Sequence, residues 1–156
     1  MISLHRGNKA LSTLLPSEIL RLLYFTLAYS IIIYGITIWG SGSSHLLNSI
    51  LLIQKKFIRI ITKSEWLAHT TGLFKELKIL KLPDLININV CVFMFKLMNY
   101  SKNDNSFKDI MLENNINNNY NTRQDNIRLP KYLKSRCQKS ILYFGPKLWN
   151  NLLKKL

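Results

Sequence analysis

The sequence predicts an all-α fold: a small helical bundle with an Asn-rich loop and a basic C-terminal tail. Several segments of the first 98 residues repeat apolar residues every three or four positions, which is the spacing of one helical face. The chain has 156 residues, 47% of them hydrophobic, so it can bury a core and is too apolar for global disorder. We predict a helical module at 1–98, a linker at 99–127 and a basic, aromatic segment at 128–156.

The first two predicted helices are separated by Pro16. Residues 1–14 have the apolar spacing of a short amphipathic helix, and Ser17 can cap the helix that follows the proline. We expect this second helix to continue to Trp39. It should end at Gly40, because the run of glycine and serine that begins there favours turns over helix interiors.

The stretch 22–44 contains no charged residue and has two interpretations. As a helix it would extend about 34 Å at ~1.5 Å per residue, which is enough to cross a bilayer core of about 30 Å. The chain would then be a small membrane protein with one span at about 22–41. A weakly polar stripe on one helical face favours a buried core helix instead, and it consists of Thr26, Ser30, Tyr34 and Thr37.

The next predicted helix, at about 45–63, carries the strongest concentration of positive charge, and a serine at 43 or 44 can cap it. Its cations are helical neighbours that form one surface, called here the basic face: Lys55, Lys56, Arg59 and Lys63. Such a face either contacts a phosphate backbone, releasing counterions, or is an ordinary solvated face. No acidic residue lies between Glu18 and Glu65, which favours phosphate binding.

Two further helices complete the predicted module. Residues 64–83 suggest a short helix and a turn, with His69 as a turn or capping residue and not a ligand or base. Residues 85–98 begin with an alternation typical of a strand. The segment is nevertheless long for a strand and ordinary for a helix, so we predict a helix with Met94 and Met98 in the core.

The composition changes after residue 98. Residues 99–126 are rich in Asn and poor in large apolar side chains, which predicts a polar loop. From Arg128 onward there are eight basic residues and no acidic one, interleaved with Tyr132, Tyr143, Phe144 and Trp149. These aromatics either dock the tail on the core or stack on the bases of a single strand. Gly145 and Pro146 predict a turn before a final short helix at 147–156.

The charge balance favours polyanionic partners. Lys and Arg number 22 against 8 Asp and Glu, so the net charge is +14. Nucleic acid or an anionic membrane surface fits this charge, although an AT-rich coding sequence would also enrich Lys, together with Asn, Ile, Phe and Tyr.

No catalytic constellation is evident in the sequence. The carboxylates are not clustered as two-metal chemistry requires, and no phosphate-binding loop or nucleophile motif occurs. Cys91 and Cys137 are isolated, so neither a disulfide framework nor a zinc site is predicted. The N-terminus lacks the pattern of a secretory signal, which indicates an intracellular setting, in the nucleus or cytoplasm. We expect no metal and no cofactor.

Four blocks of the chain, in order, resemble one family. They are LLPSEILRLLYFTLAYSIIIYGITIWG (14–40), LLIQKKFIRIITKSEWLAHTTGLFKELKILKLPDL (51–85), YNTR (120–123) and QKSILYFGPKLWNNL (138–152). Together they are similar to the region that follows the catalytic palm in reverse transcriptases of jockey or LINE-like non-LTR retrotransposons. The chain departs from that pattern at Gly72, where the family commonly has proline.

The resemblance implies the thumb and following region of an RNA-directed DNA polymerase, a helical element that grips the template–primer duplex. The palm aspartates have no counterpart in this sequence, so the fragment should be inactive alone. Its partners would be RNA or an RNA–DNA duplex, and the absent palm and fingers. The carried-over contacts are the four residues of the basic face, with Arg123, Lys139 and Lys147 as further candidates. A membrane protein and a non-functional retroelement remnant remain open as alternatives.

Overall fold

The computed structural model of the chain describes residues 14–100, 127 and 129–154. This part of the chain consists of helices joined by turns and loops, which confirms the prediction of an all-α fold. The helices before residue 62 are α1 (Ser17–Leu23), a π-helix (Tyr24–Tyr29), α2 (Ser30–Ile33), α3 (Ile36–Trp39) and α4 (Ser44–Ile61). The later ones are α5 (Thr70–Glu76), α6 (Leu82–Tyr100), α7 (Ser135–Gln138) and α8 (Ile141–Leu153). The predicted helix at 1–14 and the linker at 99–127 lie almost wholly outside the described residues.

The chain divides into two compact units. In the first, the described residues up to Ile36 pack with Ser43–Leu85. In the second, the short segment Thr37–Gly42 packs with the described residues from Ile86 onward. Each unit therefore combines segments that are distant in sequence.

The expected continuous helix from Ser17 to Trp39 is wrong, because the chain turns at Tyr34 and Gly35. Gly35 has φ 62°, a left-handed conformation that glycine adopts without the steric cost of a Cβ. The start also differs from the prediction. Pro16 is the N-cap residue and Ser17 is the first helical residue, with no side-chain cap hydrogen bond. Among the described residues, no helix combines the length and the apolar character that a membrane crossing requires.

The π-helix lies within this first helical stretch, and its polar side chains turn back onto the backbone. The Thr26 hydroxyl donates to the carbonyl of Leu22 at 3.0 Å, and the Ser30 hydroxyl donates to the carbonyl of Thr26 at 2.6 Å. Two members of the predicted polar stripe therefore hydrogen-bond to the backbone of their own helical stretch. The expected burial of the whole stretch is only partly right, because Leu22 and Ile31 are exposed while Tyr24 is fully buried.

The core of the first unit joins the first helical stretch, α4 and α5. Its buried members are Leu20, Tyr24, Ile58, Ile61, Phe74 and Ile79. The predicted short helix after residue 64 is confirmed as α5. Both α4 and α5 end in a Schellman arrangement, in which a lysine takes up the left-handed conformation: Lys63 (φ 52°) and Lys78 (φ 53°).

The second unit contains most of α6 together with α7 and α8. Met94 of α6 is fully buried, as predicted, and its Sδ lies 2.8 Å from the position that a Cβ on Gly145 would occupy. The predicted turn at Gly145 and Pro146 is wrong, because both residues lie inside α8. A prolyl ring clashes with the Cβ of the preceding residue in a helix, and glycine has none. Gly145 thus allows the helix to pass through Pro146.

Candidate nucleic-acid interface

Helix α4 positions the basic face. Ser43 caps it by accepting a hydrogen bond from the amide of Leu46 at 3.3 Å, which confirms a predicted cap. Its amphipathic sequence directs Ile58 and Ile61 into the core. The cations occupy the neighbouring positions, where Lys56 is exposed and Lys55 is half-buried. A half-buried lysine can lay its methylene stem along the protein and keep its ammonium in water.

A buried glutamine fixes α4 against the rest of the first unit. Gln54 is fully buried, and its Nε2 donates to the hydroxyl of Tyr24 at 3.0 Å and to the carbonyl of Leu80 at 2.9 Å. Its Oε1 accepts from the amide of Leu82 at 2.9 Å, where α6 begins. Because Gln54 directly precedes Lys55, the same hydrogen bonds hold the backbone that presents the basic face.

The loop after α4 folds back along the basic face. The Nε of Arg59 donates to the carbonyl of Ala68 at 3.1 Å, and the amide of Ala68 donates to the carbonyl of Glu65 at 3.0 Å. The hydroxyls of Thr62 and Ser64 are 2.8 Å apart and share a hydrogen bond. Arg59 therefore has a structural role in anchoring this loop, which the sequence pattern did not predict. Nε–H is only one of the five N–H donors of a guanidinium group.

The folded loop brings Trp66 against the basic face. The Nζ of Lys56 lies 5.6 Å from the centroid of the Trp66 ring, a cation–π distance. Trp66 keeps 39% of its surface exposed. Sequence reasoning missed this residue, because it meets Lys56 across a chain reversal of ten positions and no periodic pattern marks such a contact.

Lys63 departs from the predicted stripe. Helix α4 ends at Ile61, so Lys63 is not the helical neighbour of Arg59 that a four-residue interval suggests. Its amide donates to the carbonyl of Ile60 at 3.2 Å, and the next amide donates to the carbonyl of Arg59 at 3.0 Å. The Lys63 side chain is exposed beside the C-terminal end of α4. Lys63 therefore lies in the terminal turn, close in the chain to the α4 cations of the basic face.

Two further predicted site residues, Lys139 and Lys147, belong to the second unit, whereas the basic face belongs to the first. Lys139 is exposed in the turn between α7 and α8. Lys147 lies on α8, with its Nζ 5.8 Å from the centroid of the Tyr143 ring. That ring lies 6.2 Å from the ring of Tyr132, so the predicted mixture of cations and aromatics forms a local cluster. Arg123 lies outside the described residues.

An asparagine of α8 holds the last residue of the predicted linker in place. The side chain of Asn150 accepts from the amide of Ile127 at 3.0 Å and donates to its carbonyl at 2.7 Å. Ile127 is also buried. The last residue of the predicted linker is therefore held by hydrogen bonds to its backbone, which the aromatic spacing did not indicate.

Among the described residues, few features suggest a metal site or a catalytic nucleophile. No group of three or more His, Cys, Asp or Glu side chains lies close enough there to hold a metal ion. The second unit has a groove of about 370 Å³ between α6 and α8, lined mainly by Ile88, Val92, Leu148 and Leu152. Cys91 also lines it, and burial raises the pKa of its thiol. A raised pKa disfavours the nucleophilic thiolate.

Comparison of the chain with models of protein families, with curated proteins and with solved structures gives no match.

Proposed function

We propose that the chain is a non-catalytic nucleic-acid-binding module that holds duplex RNA, or an RNA–DNA duplex, through phosphate contacts. The observation that carries this proposal is the basic face: cations on one side of α4 and in its terminal turn, in a chain of net charge +14. Cations that neutralise phosphates release condensed counterions, which provides most of the free energy of non-specific binding. The proposed binding is independent of base sequence, because phosphate contacts position a duplex without reading it.

The geometry supports a preorganised surface. Gln54 and the Ser43 cap hold α4 in place, and Arg59 holds the following loop. Lys55 and Lys56 therefore extend from a fixed helix, so little backbone entropy is lost when a duplex binds. We assign direct phosphate contacts to Lys55, Lys56 and Lys63, and a shared structural and binding role to Arg59.

We further propose that this module is the thumb-like region of a non-LTR retrotransposon reverse transcriptase. The four sequence blocks in their family order support this, and an all-α fold is what a thumb requires. Palm and fingers would supply the polymerase active site as a separate partner. This role would place the chain in the nucleus or cytoplasm, where its RNA is.

The test replaces lysines of the basic face by glutamine, which removes positive charge and keeps a side chain of similar length. A triple variant K55Q/K56Q/K63Q should bind a blunt RNA duplex more weakly, with a salt slope reduced by about 2–3, because each phosphate contact contributes roughly 0.9 to that slope. The matched control is K75Q/K78Q/K96Q, which removes three other exposed lysines and the same net charge. Equal weakening of both variants would contradict a role for the basic face, because only the total charge would then matter.

A further inference from the structure

The contact between Lys56 and Trp66 lies at the surface of the first unit, beside the basic face. The loop that carries Trp66 is already held by the Arg59–Ala68 hydrogen bond and by the turn from Glu65 to Ala68. Trp66 is not part of the buried core cluster of the first unit. Trp66 nevertheless keeps 39% of its surface exposed beside a surface rich in cations, and the next residue, Leu67, is 86% exposed.

An exposed indole beside a cation matches the chemistry of an unpaired nucleotide. Base–aromatic stacking tolerates any base, because every base offers a π-face, and a nearby ammonium can pair with the adjoining phosphate. The ammonium of Lys56 lies 5.6 Å from the indole centroid, and Lys63 is exposed in the same chain reversal. Glu65 is the one acidic neighbour in this loop, and it is also exposed. It is outnumbered locally by the cations of the basic face.

We propose that Trp66 and Lys56 form a stacking site for an unpaired base, on a single-stranded overhang that continues from the duplex held by the basic face. This inference rests on the proposed function, because the basic face must first hold the duplex. It adds a substrate class: a duplex with a single-stranded extension binds more tightly than a blunt duplex. The added affinity comes from the bases of the overhang and not only from its phosphates.

The test compares three labelled RNA probes with the full chain by fluorescence anisotropy. They share one duplex and differ in their ends: blunt, with a short single-stranded overhang, or with an abasic overhang of the same charge. We expect the normal overhang to bind about tenfold more tightly than the abasic one, since stacking a base on an aromatic side chain has an effect of this order. W66A should remove this difference, W66F should keep most of it, and both should leave blunt-duplex binding unchanged.

The outcomes separate the two proposals. Equal affinity for the normal and the abasic overhang overturns the stacking site, and this comparison needs only the wild-type chain. A difference that persists in a folded W66A variant also overturns it. In both cases the proposed function stays intact as long as the blunt duplex still binds. Failure of every probe to bind, the blunt duplex included, overturns both.

Discussion

Replacing Gln54 by methionine should cause a large loss of stability, although methionine has nearly the same length and is more apolar. The change leaves three groups without their partner: the amide of Leu82, the carbonyl of Leu80 and the hydroxyl of Tyr24. A buried polar group left unpaired costs about 1–3 kcal/mol. The Leu82 amide is fully buried and belongs at the upper part of this range, whereas the Leu80 carbonyl is only partly buried. We expect Q54M to lower the free energy of unfolding by about 4 kcal/mol in total.

Two variants serve as controls for this prediction. Y24F removes only one of the three interactions and should cost about 1 kcal/mol. Q138M changes an exposed glutamine, whose Nε2 donates to the carbonyl of Tyr132, and should cost less than about 1 kcal/mol. Urea denaturation of the full chain, followed by circular dichroism, measures all three. A Q54M variant within about 1 kcal/mol of wild type would refute the reasoning, because the buried groups would then have found other partners.

Three other predictions concern packing, titration and charge. G145A should destabilise the chain by about 1–2 kcal/mol, because its Cβ would meet the Sδ of the buried Met94, whereas G72A has open space and should stabilise α5 by about 0.5–1 kcal/mol. In an M94A background the part of this cost that comes from Met94 should disappear, and the clash of the new Cβ with the Pro146 ring should remain. Urea unfolding that gave both glycine variants the same sign would contradict this packing. Burial raises the pKa of Tyr24 above its ordinary value of 10.0. The folded state therefore retains a proton that the unfolded state loses, and the free energy of unfolding should fall as the pH rises from about 10 through the folded pKa. Unfolding free energies measured from pH 8 upward should show a smaller alkaline loss in Y24F, and identical pH profiles would exclude this contribution. The lysine variants of the basic face should lose duplex affinity relative to their charge-matched control, as set out above.

Local signals in the sequence predicted much of the fold. The serine before α4, the apolar periodicity of α4 and the short helix α5 all follow from interactions within a few residues of each other. Helix α6 was predicted from its length, because a segment of this length is long for a strand and ordinary for a helix. Met94 was predicted as an apolar core residue of this helix, and it is fully buried. These features were predictable because capping and amphipathic patterning are encoded at short range.

Two errors arose where glycine acts in a context that the local pattern does not reveal. Gly35 breaks the first helical stretch by its left-handed conformation, although its uncharged apolar neighbours favour continuation. Gly145 does the opposite, because it lets α8 continue into Pro146 and packs on Met94. Glycine permits both outcomes, and tertiary packing decides between them.

The candidate site was predictable only in part. The positions of Lys55 and Lys56 on α4 follow from helical spacing, but the displacement of Lys63 beyond the helix end depends on where the terminal turn closes. The anchoring role of Arg59 and the approach of Trp66 to Lys56 depend on a chain reversal. Such contacts are non-local, and a single sequence gives no spacing rule that identifies them.

The salt dependence of duplex binding tests the central claim most directly. The equilibrium constant for a blunt RNA duplex should fall linearly on a plot of log K against log salt concentration. With Lys55, Lys56 and Lys63 on phosphates, the slope should be about −3 or steeper. An affinity that stays flat from low to high salt, or no measurable binding at low salt, would contradict the assignment of this helical module to phosphate recognition.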